Sequence, residues 1–414
     1  MRLSPSRSRR RVRRSAALAG TAALALGGGL LAALPASADG DPQSGLCNLH
    51  DDPSWNGWSN HAEVGEQLAR LARTSDRVTV EQSGTSTQGR EIWSARVGTG
   101  DRVMLVTGAI HGNERTGTEA LIGLVGKLAN GNDAATRQIL DNVTLVAVPM
   151  LNPDGGELNR RASVNSWDET LAQHPQLAGA PRAWYHSLRG GGYEIAGYDL
   201  NRDFNPDLDY VPNPADLPGR QTDAGFFLSN EAQAARDLYK DLQAEFGEVD
   251  AYVDLHHMGP CNRITGGEQD GKLVSVTLDY PPLGVGDGAK YQQDWPALDQ
   301  DKSRRYALAV AEGIQDARGS QSPLTAVARY LHPAEREFAG QGRSAFALNG
   351  SGSVLFEVRG QQHNYGQKQK GMMTQTVQTG LTSLAAALAD GSADRLDGDD
   401  FYDLPDYGWD TSGD

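Results

Sequence analysis

The sequence predicts an α/β domain built on a mixed, mostly parallel central sheet with helices on both faces. Two observations predict it. Short, nearly continuous apolar runs rich in β-branched residues recur at 103–107, 143–148, 249–255 and 354–358, and strands that lack polar alternation belong to sheets buried on both sides. Stretches with apolar residues at helical spacing lie between these runs, and alternating strand and helix is the pattern of parallel α/β layers.

In chain order, residues 61–73 place Val64, Leu68 and Leu71 on one helical face. Strands at 78–81 and 92–97 then flank the loop 84–90 and read as a hairpin. The run 103–107 leads through Gly108 into the loop AIHGNERTGTE and a helix over 120–129. Residues 143–148 precede the loop LNPDGG, a helix over 231–246 precedes the run 249–255, and the run 354–358 precedes a closing helix. Ligands of such sheets sit beyond the carboxyl ends of the strands, which directs attention to the loops that follow each run. The Gly/Pro/Asp-rich stretches 155–225 and 259–300 read as binding or lid loops, or equally as surface decoration.

The first 38 residues combine a run of arginines, an Ala/Leu/Gly stretch and the small-residue sequence Ala36-Ser37-Ala38, which is the form of an export signal. Gly27, Gly28 and Gly29 interrupt its apolar core, which argues against a membrane anchor of about 20 apolar residues. Export runs through the general secretory or the twin-arginine route. The expected organisation is therefore an export signal (1–38), a catalytic domain (39–390) and an acidic, flexible tail (391–414). Removing the signal's seven arginines takes the formal charge from −15 to −22, which excludes nucleic acid as a partner. No later stretch reads as a membrane span, and a secreted monomer is expected. Cys47 and Cys261 are the only cysteines, an even pair that outside the cytoplasm is expected to be bridged.

Candidate chemistry gathers at the strand ends. His111 and Glu114 lie three residues apart just after an apolar run, and a His nitrogen with a carboxylate is an ordinary zinc donor set. A catalytic zinc takes three protein ligands and keeps one position open. His256 and His257 close the run 249–255 and offer the third, one of the two facing the site because strand side chains alternate. A second H-x-x-E, His332 to Glu335, contains Pro333, has no strict strand before it and reads as coincidence. Glu357 stands near the end of the run SVLFEVR, where a carboxylate needs a metal, a partner or an open cleft. Its structural alternative is an ion pair with Arg359 on the same strand face.

At these residues the sequence strongly resembles the zinc carboxypeptidases of the carboxypeptidase A and B superfamily. The motifs GAIHGNE, LNPDG, an arginine, DLNRDF, DLHH and VLFEVRG occur in order between about residues 90 and 360. The resemblance implies one Zn2+ per chain held by His111, Glu114 and His256, with Asp199 orienting His111 through its other ring nitrogen. It implies that Asn201 and Arg202 dock the free C-terminal carboxylate of a peptide or protein substrate, and that Glu357 activates water. The arginine that stabilises the oxyanion lies after LNPDG, as Arg161 with Arg160 the neighbouring alternative.

Three departures stand out. The mobile tyrosine that the family places about twenty residues before its glutamate is missing from HPAEREFAGQGRSAF, and Tyr330 is the nearest. Asp203 replaces the amide that more often follows Asn-Arg. Arg343 falls in the segment that shapes the side-chain pocket; lining the pocket it would favour acidic C-terminal residues, and otherwise it faces solvent. Rival readings are an amidohydrolase or cell-wall peptide hydrolase on the same scaffold, and a secreted binding protein without catalysis.

Overall fold

The apolar runs become adjacent strands of one sheet, and its two faces are packed differently. The structure is a computed structural model and describes residues 57–187, 189–190, 193–194, 197–318, 324–331, 333, 335–360 and 366–409. The expected export signal, Cys47 and His332 lie outside these residues. Cys261 is fully buried, and among the described residues no cysteine is free.

In chain order the elements are α1 (His61–Thr74), β1 (Val78–Thr85), β2 (Glu91–Val97), β3 (Arg102–Gly108), α2 (Thr116–Asn130), α3 (Ala134–Asn142), β4 (Val143–Val148) and the short α4 (Pro153–Glu157) and α5 (Trp167–Gln173). A two-stranded ribbon follows, β5 (Arg189–Gly190) with β6 (Tyr193–Glu194), then α6 (Asn230–Phe246), β7 (Ala251–Met258), β8 (Asn262–Thr265) and β9 (Val276–Asp279). The turn α7 (Val285–Gly288), α8 (Gln300–Arg318), β10 (Val327–Arg329), α9 (Gly342–Leu348), β11 (Gly352–Arg359), α10 (Gly366–Ala389) and β12 (Asp406–Trp409) complete the domain.

The main sheet has eight strands in the order β1-β2-β4-β3-β7-β11-β9-β10. Its centre, β4-β3-β7-β11, is parallel; the β1-β2-β4 edge and the β11/β9 contact are antiparallel. Alternation sorts the side chains of each strand. Met104 and Val106 of β3, Val253 and Leu255 of β7, and Val354, Phe356 and Val358 of β11 join a core under α1, α2, α3, α8 and α10. Val103, Leu105 and Tyr252 join the opposite core with Tyr239 of α6 and Phe346 of α9. Each fully buried Leu, Val or Phe contributes about 1.5–3 kcal/mol, so these two layers fix the strand register that aims the site. α1 begins with a capping box in which Asn60 and Glu63 satisfy each other's backbone N–H groups.

The tail departs from expectation. Residues 391–409 are packed against the domain: Phe401 is fully buried, and β12 pairs antiparallel with β8 over Asp406–Trp409. Two of its acids have close basic partners, Asp394 2.7 Å from Arg102 and Asp406 2.7 Å from Arg329. Part of the charge that suggests a solvated run is offset by basic residues brought in by tertiary structure. The stretch 259–300 likewise contains two strands, β8 and β9. Among the described residues no helix is long and apolar enough to cross a membrane.

Candidate metal centre and substrate cleft

β3, β7 and β11 end side by side, and their carboxyl ends open into a cleft of about 450 Å³. The loop after β3 supplies His111 and Glu114. It can lie where it does because Gly112 has no side chain: a Cβ there would stand 2.1 Å from the Gly155 carbonyl carbon. Asn152 of LNPDG fastens the same loop, donating to the carbonyls of Ile110 and Arg161, each at 3.3 Å. β7 supplies His256, and the parallel register places Glu357 of β11 directly across from it.

His111, Glu114 and His256 are buried and form a cluster with metal-binding geometry. Their donor atoms converge closely: His111 Nδ1 and His256 Nδ1 are 3.1 Å apart, and the two Glu114 oxygens stand 2.9 Å from them, Oε1 from His111 and Oε2 from His256. The far nitrogen of each ring meets a carboxylate, Asp199 at 3.3 Å from His111 Nε2 and Asp254 at 2.9 Å from His256 Nε2. A carboxylate holds the ring N–H on the nitrogen it faces, leaving a lone pair on the other. Two imidazole lone pairs and a carboxylate thus point at one spot, an arrangement that a cation stabilises. Nitrogen and oxygen donors around tetrahedral zinc stand about 3.3 Å apart at its usual bond lengths, so the trio fits that ion with little movement.

The charges agree with this assignment. Burial alone would raise Glu114, but the two histidines hold it well below the usual carboxylate range. Burial lowers His256, yet Asp254 and Glu114 together push it up to about 10, so the pocket strongly favours positive charge at this position. His257 is the opposite case. It projects to the other face, accepts the Thr116 N–H that begins α2 at 3.1 Å, and burial pushes it down to about 4. Strand alternation thereby selects His256 for the cluster.

Glu357 is partly open to the cleft, and among the described residues nothing hydrogen-bonds its carboxylate. Burial raises it to about 7, against the pull of His256. Its expected structural alternative is absent, because Arg359 donates to Val274 O at 3.0 Å and Ser275 Oγ at 3.3 Å. Arg161 reaches the cluster, with Nη2 3.0 Å from Asp199 and Nη1 3.2 Å from His111 Nδ1. Arg160 turns away to the carbonyls of Ala162 and Ser163.

Asn201 and Arg202 follow Asp199 in a single turn that Asp199 caps. The Asn201 amide accepts from Gly342 N at 3.0 Å and donates to Asp254 at 3.2 Å. Its nitrogen also lies 3.0 Å from His256 Nε2, but the charged and closer Asp254 decides that ring's tautomer. Among the described residues Arg202 donates to the neighbouring Asn201 carbonyl at 2.5 Å and lies over the Phe338 ring. Asp203 faces away, accepting from Tyr185 Oη, Ser229 Oγ and the backbone N–H groups of Leu228 and Ser229. Its carboxylate anchors the start of α6, which accounts for an acid at this position.

Three residues were not assigned from sequence. Asp254 shares a strand face with His256, two residues away, and that spacing in DLHH was the available signal. Tyr407 of β12 and Asn262 of β8 line the cleft from segments read as tail and loop. Tyr330 lines it too, its hydroxyl raised by burial and then by the Glu357 charge. Arg343 does not face solvent: it is buried, donating to Asp279 at 3.0 Å and Gln341 at 2.8 Å.

Comparison with known proteins places the chain in a family. A zinc carboxypeptidase family profile matches residues 66–380, and the chain belongs to that family. It is 31% identical to carboxypeptidase E of Caenorhabditis elegans over 172 residues, 39% of this chain and 32% of that protein, so the match spans about a third of the relative's length. The fold is similar to that of carboxypeptidase A from Helicoverpa armigera (TM-score 0.51, 16% identity, 81% of this chain and 75% of the other). It is also similar to bovine thrombin-activatable fibrinolysis inhibitor, solved with tick carboxypeptidase inhibitor (TM-score 0.51, 13% identity, 81% and 98%).

Proposed function

We propose that this protein is an exported metallocarboxypeptidase that hydrolyses the C-terminal peptide bond of peptides, with one zinc ion held by His111, Glu114 and His256. The observation that carries the reading is the shared cleft: the open side of the donor trio, the unbonded Glu357 carboxylate and the Arg202 guanidinium all line it. A zinc ion held there supplies Lewis acidity toward a carbonyl and makes water more acidic.

The chain's own groups do the rest. Asp199 and Asp254 keep each imidazole's proton on Nε2, so both Nδ1 atoms remain donors. Arg202 docks the substrate's terminal carboxylate, and Asn201, already engaged by Gly342 and Asp254, holds the wall behind it. Docking at that point selects chain ends and positions the last peptide bond near Glu357. Glu357, raised to about 7, takes a proton from the attacking water and returns it to the leaving amine. Arg161, turned toward the cluster, donates to the carbonyl oxygen as negative charge builds there. The N-terminal arginine run and Ala36-Ser37-Ala38 support export, where a bond between Cys261 and Cys47 would be stable.

The test is release of the last residue from an N-acylated dipeptide by zinc-loaded protein, compared with the same peptide amidated at its C-terminus. Turnover of the free acid, stopped by a chelator and absent for the amide, is expected. Equal turnover of the amide would instead support an amidohydrolase that ignores the chain end.

A further inference from the structure

Among the described residues four guanidinium groups enter the cleft, and their charges are balanced unequally. Arg161 is paired with Asp199 at 3.0 Å and Arg343 with Asp279 at 3.0 Å. Arg202 and Arg336 also line the cleft, and among the described residues neither has a carboxylate within salt-bridge distance, although Asp199 attracts Arg202 from farther away. Both rest on one side chain: Arg202 Cζ is 4.6 Å and Arg336 Cζ 4.3 Å from the centroid of the Phe338 ring. Phe338 is buried and fixes where the two guanidiniums stand.

A guanidinium does not lose its proton in a protein. Two such groups on one ring repel each other in a partly dehydrated cleft, and the cation-π contacts only partly offset that. The arrangement calls for anions from outside. The terminal carboxylate, docked at Arg202, supplies one and leaves Arg336 unmatched. The two guanidiniums are no farther apart than their combined distances to the ring, a span that the two carboxylates of one acidic residue bridge. Arg343 cannot take this part, because Asp279, Gln341 and the Tyr280 carbonyl already occupy it.

We propose that Arg336 is a specificity residue that binds the side-chain carboxylate of the substrate's last residue, so that this protein prefers peptides ending in glutamate or aspartate. The proposal rests on the carboxypeptidase reading above. Burial, against the pull of Asp199 and together with the neighbouring arginines, depresses Arg202 below its usual range, in keeping with a site that gains stability when anions enter.

The experiment compares N-acylated dipeptides that share a penultimate residue and end in Glu, Gln, Phe or Lys, with zinc-loaded wild-type protein and Arg336→Gln. Wild type should favour Glu over Gln by about 10- to 100-fold in kcat/KM, as expected for an isostere that leaves a charged group unmatched. Arg336→Gln should bring that ratio to about one, with Glu-ending turnover falling much further than Gln-ending turnover, and Arg336→Lys should recover part of it. Calorimetry on metal-stripped protein gives a reading that needs no turnover: free glutamate should bind more tightly than glutamine, and Arg336→Gln should abolish the difference. A wild-type ratio near one, a ratio that survives Arg336→Gln, or equal binding of the two amino acids would overturn the proposal. Cleavage of the Gln and Phe peptides in that case would leave the carboxypeptidase reading standing, whereas release from none of the four would remove it.

Discussion

The two ends of the cleft are built on opposite principles. At the metal end every donor has a second partner: Asp199 behind His111, Asp254 behind His256, and the His257 N–H donating to Glu114 at 3.1 Å. At the other end, among the described residues, Arg202 and Arg336 share an aromatic ring and have no carboxylate within salt-bridge distance. The first arrangement is complete before any substrate arrives, and the second becomes electrically balanced only when an anion is present. Groups that hold an ion must be oriented in advance, because ring rotation costs affinity. Groups that recognise a substrate work best when their partner is the substrate itself.

Substitutions at the two ends should therefore fail differently. The largest effect is expected for His256→Ala: zinc content of the purified protein should fall well below one per chain and hydrolysis should drop to background. A variant with full zinc by elemental analysis would contradict the assignment of the trio. Glu357→Gln should keep its zinc and lose about 10²- to 10⁴-fold in kcat; more than a tenth of wild-type kcat would remove Glu357 from the chemistry. Arg202→Gln should also keep zinc while losing about 10- to 100-fold in kcat/KM on peptides with a free terminus, the scale of one charge-assisted hydrogen bond. If that variant lost metal instead, the two ends would not be separable. Asp254→Asn should weaken zinc binding by about 10- to 100-fold in a chelator competition with little change in substrate KM.

The smallest effect is in pH dependence. Glu357 must be ionised to accept a proton, and burial raises it to about 7. kcat/KM should therefore climb with pH and pass half its plateau at or below about pH 7, since bound cationic charge in the cleft can only move this limb lower. The limb should vanish in Glu357→Gln. An acid limb lying above pH 8 would show that another group controls turnover.

What could be read from the sequence divides along the same physical line. β3, β7 and β11 were visible because strands buried on both faces are written as unbroken apolar runs, and His111, Glu114, His256 and Glu357 stand where those runs stop. The four-residue strands β8, β9 and β12 are too short to show a period. The last segment misled because its aspartates are evident in a linear reading, while Arg102 and Arg329, which neutralise two of them, are distant in sequence. Phe401 and Tyr407 were the contrary signal, apolar surface that a solvated run has no use for. Arg343 shows the same limit. Its position near the pocket is legible, but its ion-pair partner is Asp279, which comes from a strand that periodicity does not reveal.

The pairing of β12 with β8 has a practical corollary. Ending the chain before residue 406 would take from Asn262–Thr265 its partner in a two-stranded sheet, leaving backbone groups able to recruit a foreign strand, and would withdraw Tyr407 from the wall of the cleft. A fusion partner or affinity handle appended at this end would hang from the same ribbon, so its effect on turnover deserves measurement against an untagged control.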